Sequence, residues 1–109
     1  MKDIQPIIIQ EFTEQAKAHY GNRLSKIILF GSYARGEANE DSDVDLMLLL
    51  NDESVSMNHE KAQIFDITWA LFMKYSIIIS ALPVSLQKYI STNKALYRFV
   101  KKEGVSLYE

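Results

Sequence analysis

The segment Leu46-Met47-Leu48-Leu49-Leu50 follows two aspartates at alternate positions, Asp43 and Asp45. Side chains in a strand alternate between faces, so a run apolar at every position must bury both faces at once. That requirement makes residues 43–50 a central strand of a sheet covered on both sides. It also sets Asp43 and Asp45 on one face at the strand's mouth, with Cβ atoms about 6–7 Å apart. Two ionised carboxylates this close to apolar packing repel each other and lose hydration. Solvent or a nearby Arg or Lys can compensate, but a divalent cation does so best. Mg2+ takes oxygen ligands and is typically held by one or two carboxylates plus substrate phosphates.

The rest of the chain supplies layers for such a sheet. Ile4, Ile7, Ile8, Phe12 and Ala16 recur at helical spacing, which predicts a helix over 3–20 that stops at Gly21-Asn22. Residues 25–30 read as a strand ending at Gly31, and 32–36 leave room for about one helical turn. Residues 37–42 and 51–58 are polar loops. The spacing of Ala62, Phe65, Trp69, Phe72 and Met73 predicts a helix over 59–75, with Phe65, Trp69, Phe72 and Met73 in the core. A β-branched run predicts a third strand over 76–84, ending near Pro83. Asn93 is placed to cap a helix running to about Lys102, with Leu96, Phe99 and Val100 inward. Tyr97, Lys101 and Lys102 would then form its solvated face, and Gly104 its C-terminal cap. The tail 105–108 either adds a short strand or lies over the core. Helix, strand, strand, helix, strand, helix is the order of a small α/β domain with helices packed on one sheet. At 109 residues the chain has room for one domain, spanning 1–109, and not two.

Composition narrows the function classes. With no cysteine, disulfides, thiolate zinc sites and cysteine nucleophiles are excluded, and a reducing, cytoplasmic setting fits. The net charge of −2 argues against a general nucleic-acid coat. The start, Met1-Lys2-Asp3-Ile4-Gln5-Pro6, does not read as a signal peptide, and no run approaches the roughly 18 apolar residues of a membrane span.

The chemistry concentrates at residues 31–45. Gly31 gives a turn where backbone can approach a ligand, and the Ser32 hydroxyl can hydrogen-bond a phosphate oxygen. Arg35 lies one turn further on, equally suited to a phosphate contact or a surface ion pair. Phosphate-binding groups and a carboxylate pair, joined by ten residues, suit metal-assisted phosphoryl or nucleotidyl transfer. The segment is not a Walker loop, which needs G-x-x-x-x-G-K-[ST]. Nor is it an EF-hand: Asp41, Asp43 and Asp45 have the 1-3-5 spacing, but Leu46 stands where glycine is needed. Taken alone, Asp43 and Asp45 read as solvated acids at a strand's start. Asp66 reads as a helix-surface acid, and His19 and His59 are isolated.

Together, Gly31-Ser32, ten residues, and Asp43-Val44-Asp45 form G-S-x10-D-x-D. With Phe30 before it, Ala34-Arg35-Gly36 within it and Ser42 before the first aspartate, it resembles the signature of the DNA polymerase β-like nucleotidyltransferase superfamily. The short chain is similar to the minimal nucleotidyltransferases. The resemblance implies a mixed sheet flanked by helices. It implies Asp43 and Asp45 as catalytic Mg2+ ligands, with Gly31 and Ser32 on the triphosphate of ATP or another nucleoside triphosphate. It further implies a HEPN-domain partner, with the chain as antitoxin of a toxin–antitoxin pair, transferring AMP to a tyrosine of that toxin. The strand at 77–82 lacks the third carboxylate that many members carry there. A catalytically weak nucleotide-binding module that neutralises its partner by contact is therefore the alternative.

Overall fold

The computed structural model describes residues 5–109. Helices are α1 (Pro6–Tyr20), α2 (Ser32–Arg35), α3 (Met57–Gln63), α4 (Phe65–Tyr75), α5 (Leu86–Ser91) and α6 (Ala95–Glu103). Strands are β1 (Leu24–Phe30), β2 (Val44–Leu50), β3 (Ile79–Ser85) and β4 (Val105–Tyr108). They form one mixed sheet in the order β3-β2-β1-β4. β2 runs antiparallel to β1 and parallel to β3, and β4 closes the far edge antiparallel to β1. The predicted start of the first helix at residues 3 and 4 lies outside the described residues. Among the described residues no helix is long and apolar enough to cross a membrane.

The central placement expected for residues 43–50 holds, and its cause is visible on both faces. Leu46, Leu48 and Leu50 pack with Ile8, Phe12 and Ala16 of α1 and with Leu71 of α4. Met47 and Leu49 point the other way, onto Tyr89 of α5 and Tyr97 and Val100 of α6. Each of the five β2 residues from Leu46 to Leu50 is fully buried. Burying one such side chain contributes roughly 1.5–3 kcal/mol, so this strand anchors both layers.

Five expectations are corrected. The helix predicted over 59–75 is two helices, divided at Ile64 (φ −100°, ψ 5°). The break buries Ile64 in the core and leaves Glu60 paired with Arg23. Phe65, Trp69 and Met73 are not core: they are 55%, 52% and 67% exposed, and Phe72 is only partly covered. Their helix carries a second apolar stripe, Ile67 and Leu71, and that one faces the sheet. On α6 the same shift occurs. Val100 is buried as expected, but Tyr97, expected in solvent, is buried beside it, while Leu96 and Phe99 are exposed. Lys94, not Asn93, holds the N-cap position there, without a side-chain bond. The strand predicted over 76–84 begins at Ile79 and continues through Pro83 to Ser85. Proline is tolerated because β3 is an edge strand, where no further ladder bond is required.

Candidate active site

Gly31 ends β1 and stands as the N-cap of α2, at φ 80° and ψ −157°. That backbone region is essentially restricted to glycine. A Cβ at this position would run into the carboxylate of Asp45. The two halves of the motif, separated in sequence, are thus in van der Waals contact. The sheet brings them there: Phe30 pairs with Asp45 in the β1–β2 register, so the next residue of the chain turns beside the Asp45 side chain.

Asp43 is exposed just before β2, and Asp45 is half-buried within it. Burial pushes the Asp45 carboxyl above its ordinary value; the Asp43 charge adds to that, and Arg35 opposes it. Among the described residues neither aspartate has an ion-pair partner. Ser32 opens α2, and Arg35 closes it. The Arg35 guanidinium lies 3.5 Å from the Glu37 carboxylate and 6.0 Å from the Phe99 ring centre.

Glu103, at the end of α6, carried no signal in the sequence. Its Oε1 accepts hydrogen bonds from the Gly31 N–H (3.2 Å) and from Arg35 Nη1 (3.1 Å). A residue 72 positions away could be found only by folding the chain.

On the other side of the aspartates a cleft of about 670 Å3 runs between the start of β3 and the α3–α4 junction. Asp43, Lys61, Phe65, Thr68 and Ser80 line it, together with apolar side chains of β3. Ser80 pairs directly with Asp45 in the parallel register, so its hydroxyl shares the aspartates' face. The β3 side chain that shares the aspartates' face is thus a serine, with no carboxylate.

Other acids remain apart. Asp41 and Asp66 are exposed, and neither lines the cleft. His19 and His59 are exposed on different helices. Among the described residues no three acids or histidines come together to hold a metal ion. The available donors are two carboxylates and a hydroxyl. An all-oxygen set of this kind fits Mg2+ completed by phosphate and water, not a metal held by protein alone.

The model of a family described as nucleotidyltransferase domain matches residues 9–105. A Methanocaldococcus jannaschii protein, named as a protein adenylyltransferase, is 36% identical over 101 residues, covering 92% of this chain and 94% of that protein. A second protein of that organism and name is 38% identical over 86 residues, covering 79% and 83%. Among solved structures, the tri-AMPylated Shewanella oneidensis HEPN toxin in complex with an MNT antitoxin aligns at TM-score 0.62 and 19% identity, covering 96% of this chain and 72% of that one. A toxin–antitoxin structure with AMP-PNP aligns at TM-score 0.62 and 20% identity, covering 89% and 70%. At such identities the structural matches establish a shared fold.

Proposed function

The chain belongs to the nucleotidyltransferase domain family, and from that premise we propose that it moves AMP from ATP to a hydroxyl of a partner protein. The whole of residues 1–109 serves as one such domain. In the reaction the acceptor oxygen forms a bond to the α-phosphorus as the bond to the bridging oxygen breaks. Pyrophosphate leaves with the electron pair, and the hydroxyl proton passes to solvent. Asp43 and Asp45 are the residues that would hold Mg2+, which when bound neutralises triphosphate charge. The Gly31 N–H, the Ser32 hydroxyl and Arg35 orient the phosphates. Such chemistry is largely positioning and charge neutralisation.

One observation carries this reading: Gly31 is packed so closely on Asp45 that no side chain fits between them. Phosphate donors and carboxylates at that separation can serve a single phosphoryl group. The relatives named as protein adenylyltransferases favour AMP as the moiety transferred and a protein as acceptor. The exposed apolar stripe of Phe65, Trp69 and Met73, with the Phe65 and Trp69 rings stacked at 6.0 Å, offers a surface for a protein such as a HEPN-domain toxin. ATP as donor fits a cytoplasmic setting.

The test is incubation with a HEPN-domain protein encoded beside this chain, ATP and Mg2+, followed by intact-mass analysis. A gain of AMP on the partner is expected, and an unmodified partner overturns the reading. Serine at position 80 favours a second reading, a module that neutralises its partner by contact. It requires the complex and its neutralising effect to survive replacement of both Asp43 and Asp45 by Asn.

A further inference from the structure

Glu103 places a carboxylate on the donors assigned to a phosphate. Resting on that assignment, we propose that Glu103 is an internal stand-in for the nucleotide's phosphate, a latch that ATP must displace to enter. Its Oε1 holds both the Gly31 N–H and Arg35 Nη1. Gly31 is buried and the Glu103 side chain is only 18% exposed, so the carboxylate covers the Gly31 N–H from solvent, with the more exposed Arg35 on its outer side. Two anions cannot accept the same N–H, and a triphosphate beside an ionised carboxylate is repelled. Entry of phosphate and departure of Glu103 are therefore one event.

Three features make the latch displaceable. At 3.2 and 3.1 Å its bonds are longer than the roughly 2.7–2.9 Å usual for charge-assisted pairs. By contrast, Arg23 holds Glu60 at 2.8 Å. Glu103 also sits in the last turn of α6, where the helix dipole disfavours a negative charge. Its own helix does not hold it there; Gly31 and Arg35 do. Finally, Gly104 is packed so that a Cβ would meet Ile28 and the Val100 carbonyl, each at 2.5 Å. With that backbone fixed, Glu103 leaves by rotating its side chain, without moving the helix. Phe99, one turn earlier on α6, stays over Arg35 and keeps the guanidinium in place for the incoming phosphate.

The experiment is calorimetric titration of ATP with Mg2+ into the wild-type chain, Glu103→Gln and Glu103→Ala. Removing the competing charge is expected to tighten binding about tenfold in both variants. Glu103→Gln keeps the shape of the side chain and therefore reports even if Glu103→Ala fails to fold. The Gly31 amide resonance in 15N-labelled protein is expected to move on substitution, and in the wild type to move on addition of ATP. Unchanged or weaker binding by Glu103→Gln overturns the latch while leaving the nucleotidyltransferase reading intact. No binding by wild type or either variant overturns both.

Discussion

Acidic groups gather at both ends of β2, and the fold treats the two ends in opposite ways. Beyond its C-terminal end, Asp52 and Glu60 share one guanidinium: Arg23 Nε bonds Asp52 at 3.0 Å and Nη2 bonds Glu60 at 2.8 Å. Those bonds, Asp52 first and then Glu60, hold Arg23 still more firmly in its charged form. Burial, with the Glu60 charge, pushes the neighbouring Tyr20 hydroxyl up to about 12. At the N-terminal end Asp43 and Asp45 share one face without a paired cation among the described residues, and burial raises the Asp45 carboxyl. Charge that the molecule neutralises internally serves stability. Charge left uncompensated is a cost that a ligand can remove.

Replacing both Asp43 and Asp45 by Asn tests the contrast most strongly. AMP transfer should fall about a thousandfold, measured by labelling of a partner from [α-32P]ATP, while the melting temperature holds or rises. Second comes the glycine that lets the uncompensated end assemble. Gly31→Ala should cost about 3 kcal/mol in chemical denaturation, from the forbidden backbone and the clash with Asp45. Third, Arg23→Met should cost about 2–3 kcal/mol by orphaning the buried Glu60, and Arg23→Met combined with Glu60→Gln should recover much of it. Neither change touches the phosphate donors, so transfer by the folded fraction should persist.

The smallest effect is one of pH. The Asp45 carboxyl takes up its proton more readily in the fold than in the unfolded chain. Its penalty is therefore absent below the ordinary aspartate value of 3.8 and grows as pH rises through the raised value. Asp45→Asn should remove that penalty. It should raise stability near neutrality by less than about 1 kcal/mol, since solvent screens the site, and flatten the profile of melting temperature against pH. A larger gain at acid pH than at neutral pH would reverse the assigned sign.

The site was legible where its parts are local in sequence. Gly31, Ser32, Asp43 and Asp45 lie at the adjoining ends of two neighbouring antiparallel strands, so spacing along the chain carries their meeting in space. Glu103 was not legible, because α6, held by the pairing of β4 with β1, brings it to the site from a distant part of the chain. The helices show the same division. On α4 the sequence holds two apolar stripes, Ile67 with Leu71 and Phe65 with Trp69 and Met73, each at helical spacing. Periodicity establishes the helix but cannot choose which stripe turns inward.

What the sequence determined by itself is the centre: a strand apolar on both faces has one environment open to it, and two acids at its mouth have one direction to point. What only the tertiary structure decided is the periphery. Which face of α4 and α6 is buried, and which distant carboxylate reaches Gly31, depend on how the outer elements dock against that strand. The physical reason is range. Side-chain alternation and backbone sterics act between neighbouring residues, whereas docking is a competition among distant surfaces of similar apolarity.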